Sequence, residues 1–166
     1  MKGINTKKIT KLALITALAL ITFMLENLLP PVFVFAPGTK LGLASVFVNL
    51  AFILYGKKEA LIVLVIKCVL GAVFSGNMFS LYYSVPAGLL SLAAAIALFT
   101  FVYNKIGVIT ISVFCAVIHN ITQIVMAVII TGTSQLIYYS FLAGAAGIIA
   151  GIITGLTLYI IIKNIH

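Results

Sequence analysis

The sequence predicts an all-α integral membrane protein: a bundle of six transmembrane helices forming one domain over residues 1–166, with both termini in the cytoplasm. Three observations predict it. Hydrophobic residues make up 64% of the chain and charged residues 7%, whereas a soluble domain carries about 25% charge, so lipid is the solvent. Apolar runs recur at the length of a spanning helix, about 20 residues with a range of roughly 17–25. The charges cluster at the ends of those runs: ten lysines, no arginine and two glutamates, Glu26 and Glu59, leave a net charge of +8.

The first span is expected over 10–28. Lys2, Lys7, Lys8 and Lys11 precede it, as in a secretory signal. The run continues to Leu29 without a small-x-small site, so it reads as a retained span. Pro30 and Pro31 stop it. The linker Val32-Phe33-Val34-Phe35 alternates two apolar residues and reads as a short strand or lid on the bundle, or as an interfacial anchor. The second and third spans, 40–55 and 59–74, are short at about 16 residues each. Short segments at matching depth point to a thinned region, a re-entrant turn or a cavity at the outer face. Ser75-Gly76-Asn77 breaks the pattern before the fourth span, 81–103, which carries Pro86. The fifth span is expected over 107–131 and the sixth over 135–162.

Lysine placement sets the orientation. The N-terminal cluster, Lys57-Lys58, Lys105 and Lys163 fall on one side of a six-span arrangement, and the opposite loops hold only Lys40. By the positive-inside rule the lysine-rich side, with both termini, is cytoplasmic, as in a multi-pass membrane protein. Gly147, Gly151 and Gly155, with Ala143, form a small-residue stripe on the sixth span, suited to close packing inside the bundle. Ala13 and Ala17 form a second small pair on the first span, where a partner helix can approach.

Composition also excludes functions. The lysines sit at segment ends and not on one basic face, so nucleic acid is a poor partner. The chain has no aspartate, and two glutamates cannot build an aspartate-rich magnesium site for a diphosphate. No G-x-x-x-x-G-K-[ST] loop is present, so ATP is not hydrolysed by that route. Cys68 and Cys115 lie inside apolar runs and read as small buried hydrophobes. His119 has no second ligand at metal spacing, and His166 is at the opposite surface. No nucleophile–base constellation is legible. The expectation is a non-enzyme without metal or cofactor.

Polar groups inside a span are functional hypotheses by default. Glu26 lies near the outer end of the first span, and Asn49 about 12 Å below the outer end of the second at 1.5 Å per residue. Lys67 is half-way along the third and His119 half-way along the fifth, with Gln123 one turn further out. All can line one cavity open to the outside, with the cytoplasmic half almost bare of such groups. A lone ammonium at the midplane costs about 2.5–3.5 kcal/mol on insertion scales. Lys67 must therefore snorkel, lose its proton, pair with Glu26 or meet a bound anion. Glu26 either balances Lys67 or holds a substrate amine. His119 and Gln123 share a helix face as an i,i+4 pair. Asn120 points about 100° away, the step between successive helical residues, toward a neighbouring helix or the cavity. Tyr83 reads as a belt aromatic or as a platform for a ring. Lys40, in the turn Pro37-Gly38-Thr39-Lys40, either rims the cavity or snorkels at the interface.

Several stretches together resemble one family of small bacterial membrane proteins: Pro37-Gly38-Thr39-Lys40-Leu41-Gly42-Leu43-Ala44, Gly56 through Glu59-Ala60, Gly76-Asn77-Met78-Phe79-Ser80, and Ala116 through His119-Asn120 with Gln123. The resemblance covers nearly the whole chain. The family carries two labels, "heptaprenyl diphosphate synthase component I" and "Gx transporter", and is similar to the substrate-binding S components of energy-coupling factor transporters. That likeness implies six helices and a substrate pocket near the outer face. It also implies an alanine-xxx-alanine patch on the first helix, here Ala13 and Ala17, which docks a coupling protein driven by two ATPases. The candidate substrate-binding set is Glu26, Lys40, Asn49, Lys67, Asn77, Tyr83, His119, Asn120 and Gln123. The expected cargo is a small anionic or zwitterionic molecule. The other label implies a non-catalytic membrane partner in isoprenoid or menaquinone metabolism.

Overall fold

A computed structural model describes residues 6–28, 42–103 and 105–165. The regular elements are α1 (Thr6–Leu28), α2 (Ser45–Tyr55), α3 (Lys57–Phe74), α4 (Ser80–Phe101), α5 (Val108–Thr131) and α6 (Ser140–Ile165), with a 3₁₀ segment, Ser134–Tyr139, leading into α6. No strand occurs among the described residues. The expected lid or strand at 32–35 and the rim residue Lys40 lie outside the described residues.

By length and composition, four of the six expected spans are seen among the described residues. Four helical stretches are long and apolar enough to cross a membrane: Thr6–Glu26, Ser80–Phe101, Val108–Thr131 and Ser134–Asn164. The α2 helix has 11 residues, about 17 Å at 1.5 Å per residue, against a hydrocarbon core of about 30 Å. The α3 helix has 18 residues, but Lys57, Lys58 and Glu59 occupy its first turn and Lys67 its middle, so it is not a uniformly apolar rod. The long helices turn Leu18, Ile21, Phe114, Ile129, Ile153 and Ile160 outward. Such faces fit an apolar surrounding, and the chain is a membrane protein on these grounds.

The lysine-bearing ends meet at one end of the bundle. Lys8 of α1 forms an ion pair with Glu59 of α3 and stands 5.9 Å from the centre of the Tyr55 ring. Phe52 of α2 meets Phe99 of α4 edge-on at 5.9 Å. Leu12, Tyr55, Phe99, Val108 and Ile161 pack around one core there. Lys163 shares a surface recess with Tyr103 and Gly107, so the α4–α5 turn and the end of α6 lie at that end too.

Small residues set the helix spacing. Gly147, Gly151 and Gly155 of α6 face the α5 backbone at Val117, Val113 and Ile109. A Cβ on Gly147 would lie 2.8 Å from the Val117 Cα, and one on Gly155 2.8 Å from the Ile109 Cα. Close backbone approach of this kind is what small residues permit between apolar helices. The Phe23 ring of α1 lies over Gly71, and Leu64 lies over Gly88 of α4. These two contacts press α3 between α1 and α4, and they point its inner face, with Lys67, at the middle of the bundle.

Candidate functional site

The buried stripe of α3 runs Ala60, Val63, Leu64, Lys67, Cys68, Gly71 and Ala72. Its three- and four-residue steps are the period of one helix face, and Lys67 stands in the centre of it. The Lys67 side chain is 3% exposed, so it does not snorkel. No hydrogen bond or direct ion pair engages its ammonium among the described residues.

Other elements bring polar groups to the same centre. The α2 helix buries Asn49, α4 buries Ser84 and Ser91, and α5 buries His119 and Gln123. Glu26, on the last turns of α1, is buried and its carboxylate accepts the Leu43 N–H. Gly42 has φ +79°, which favours glycine, and its Cα presses on the imidazole, because a Cβ there would come within 2.8 Å of His119 Cδ2. The Gly42-Leu43 turn is thus fixed on one side by Glu26 and on the other by His119. Gly42→Ala is therefore expected to destabilise the protein by about 1–3 kcal/mol through overpacking and the left-handed backbone, and a lower unfolding temperature checks it. A variant as stable as the wild type would show that the turn does not bear on the ring.

The imidazole is held by Gln123, with 3.1 Å between the two Nε2 atoms. An amide NH₂ can only donate, so His119 Nε2 accepts and the ring proton sits on Nδ1. That Nδ1 is buried without a hydrogen-bond partner among the described residues. Ser84 Oγ is also buried without a partner, while Ser91 Oγ donates to the Cys115 carbonyl at 3.0 Å. Native interiors satisfy most buried polar groups, so the Ser84 and His119 orphans at this centre mark a place where a ligand or water completes the bonding.

Two small cavities meet at this centre. Phe23, Glu26, Gly42, Lys67, Cys68, Ser84, His119 and Gln123 line the first. Ser45, Val48, Asn49, Leu64, Lys67, Gly88, Ser91, Leu92 and His119 line the second. Lys67 and His119 belong to both and form the partition between them. Each cavity offers about 10 Å³ to the centre of a water-sized sphere, room for about one water. A typical ligand pocket has about 300–1,000 Å³, so a solute enters only if the partition or the Gly42-Leu43 turn moves.

Of the residues expected at the site, the structure brings together Glu26, Asn49, Lys67, His119 and Gln123. Asn120 does not line either cavity; its amide donates to the Ala143 carbonyl of α6 at 3.3 Å. Tyr83 packs with Ala127 and Leu136 near the 3₁₀ segment, and Asn77 is exposed in the turn between α3 and α4. Gly42, Ser84 and Ser91 join the centre without having been singled out. Ser80, Ser84 and Ser91, with Ala87 and Gly88 between, do form a small-residue face on α4 at helical spacing, and that was the available signal.

On the outside of the bundle, Ala13 and Ala17 border a groove of about 530 Å³ between α1 and α3, with Leu12, Thr16 and Leu20 on one wall and Ile62, Ile66 and Leu70 on the other. Glu59 closes one end. No group of three His, Cys, Asp or Glu side chains stands together for a metal ion among the described residues.

A family model described as heptaprenyl diphosphate synthase component I matches residues 15–161. No curated protein and no solved structure matches the chain.

Proposed function

We infer the function from one premise: the chain belongs to the heptaprenyl diphosphate synthase component I family. Within that family its role is that of a substrate-binding membrane subunit. It takes up a small anionic or zwitterionic molecule from outside and delivers it inward with ATP-driven partner subunits, in the manner of an energy-coupling factor S component. The convergence of Glu26, Asn49, Lys67, Ser84, His119 and Gln123 around two adjoining cavities carries this reading. A buried ammonium without a direct counter-ion is costly in a low-dielectric interior, and an acidic group on a bound solute offsets that cost. The membrane is the bacterial cytoplasmic membrane, with the lysine-rich end inward.

The partner surface is the groove beside Ala13 and Ala17, where a coupling helix packs against small residues. Ala13→Leu fills that groove from an exposed position. It is expected to leave folding and ligand binding unchanged while lowering uptake in cells at least tenfold. Normal uptake by this variant removes the groove from the coupling path.

The family's description favours a second reading, a non-catalytic membrane partner of a prenyl diphosphate synthase. The absence of aspartate in the chain fits a subunit that leaves magnesium-dependent chemistry to another polypeptide. Affinity purification from native membranes separates the two. A coupling protein with two ATPases in the eluate supports the transport reading, and a soluble prenyl synthase subunit in their place supports the second.

A further inference from the structure

The glycine stripe of α6 lies against the α5 backbone, with Gly155 at Ile109. The same four-residue step continues on α6 to Tyr159 and Lys163. But α5 begins at Val108, so this edge of α6 runs past the end of its partner. Tyr159 and Lys163 therefore meet the turn between α4 and α5 across a surface recess of about 700 Å³. Tyr103, Gly107 and Thr110 line it from the other side, and Ile162 adds apolar lining. We propose that this recess holds an anionic phospholipid of the inner leaflet, its phosphate at Lys163 and its chains along the outer face of α6. The proposal rests on the inward placement of the lysine-rich end and is independent of what the buried centre binds.

Charge, chemistry and size all fit that occupant. Lys163 makes no ion pair among the described residues. Neither glutamate lines the recess: Glu59 pairs with Lys8, and Glu26 lines the inner cavity. Lys105, two residues before Gly107 in the turn, adds a second positive charge. Tyr103 and Tyr159 are about half exposed, as aromatic residues at a membrane boundary are, and hydroxyls such as theirs and that of Thr110 donate to phosphate oxygens. Ile160 and Leu156, exposed one and two turns before Lys163, offer apolar surface for the chains. The volume is that of a ligand pocket, about 300–1,000 Å³, and a basic recess between helices on the cytoplasmic side is where anionic headgroups bind. A lysine in the last turn of a helix also offsets the helix dipole, but that role needs no lipid and gives no preference among headgroups.

The test uses the full-length protein in mild detergent, with phosphatidylglycerol or phosphatidylcholine of the same chains added. Unfolding temperature reads stabilisation, and native mass spectrometry reads retained lipid. Phosphatidylglycerol is expected to stabilise the wild type by several degrees more than phosphatidylcholine. Lys163→Gln is expected to retain phosphatidylglycerol about fivefold more weakly, the effect of one lysine facing an anionic headgroup. Gly107→Leu keeps every lysine and places bulk where a Cβ meets nothing within 4 Å, so it is expected to lower retention of both lipids. Lys57→Gln, a lysine outside the recess, is expected to keep the wild-type preference. If Gly107→Leu does not fold, Thr110→Leu, at an exposed position on the same recess, takes its place. Equal stabilisation by the two lipids, or equal losses in Lys163→Gln and Lys57→Gln, would overturn the proposal, the second by showing diffuse attraction without a built site. Glycerol phosphate stabilising the wild type as well as phosphatidylglycerol would overturn it too, because the chains would then contribute nothing.

Discussion

Lys67→Met is expected to abolish solute retention while the protein still inserts and folds. Methionine matches the length of the lysine stem and packs readily in apolar gaps, so the stripe from Ala60 to Ala72 keeps its volume. What disappears is, among the described residues, the one lysine buried with the polar side chains that line the two cavities. Removing one member of a buried charge contact costs about 2–5 kcal/mol of binding. The lower bound corresponds to a loss of about thirtyfold in affinity at 1.4 kcal/mol per tenfold. A monodisperse, helical protein remains. An affinity within twofold of the wild type, measured by calorimetry on the purified protein, would exclude Lys67 from the site.

Gly151→Leu is expected to have the largest effect on the fold. Gly151 sits against the α5 backbone at Val113 and the Ser112 carbonyl. Backbone of a neighbouring helix cannot yield as a side-chain tip can, so a leucine there must force α6 away from α5. Overpacking costs about 1–3 kcal/mol and occasionally more. At about 2–4 °C per kcal/mol for a chain of this size, the upper bound corresponds to a fall of about 6–12 °C. Gly144→Leu is the matched control: it lies on the same helix with nothing within 4 Å of its Cβ position, and its unfolding temperature stays near that of the wild type. Equal stability of the two variants would mean that the stripe at Gly147, Gly151 and Gly155 does not set the α5–α6 spacing.

The sequence revealed much of this arrangement because lipid simplifies the code. Apolar runs bounded by lysines marked α4, α5 and the long final helix nearly to the residue, because spanning helices must satisfy their backbone internally. The i,i+4 spacing of His119 and Gln123 placed them on one face, and they are joined by a hydrogen bond. Depth counting put Glu26, Asn49, Lys67 and His119 within reach of one another. Composition says less about α2, because it shows that a segment is buried but not that it crosses: Ser45–Tyr55 is apolar apart from Ser45 and Asn49, and is 11 residues long.

Helix rotation was the other hidden quantity. Asn120 is next to His119 in sequence, yet one step of about 100° sends it to Ala143 on α6. Tyr83 and Ser84 are likewise adjacent, and Ser84, not Tyr83, reaches the cavity. Nothing in the neighbours of Gly42 signals that it rests on a histidine 77 residues away in sequence. That contact depends on the tertiary approach of the turn to α5.

Mass spectrometry of the intact protein, purified in mild detergent from membranes of its own cells, tests the central claim most directly. The wild type is expected to carry a bound small molecule as a discrete mass increment, and Lys67→Met, folded to the same helical content, is expected to carry none. Retention of the same increment at the same occupancy by Lys67→Met would contradict the account.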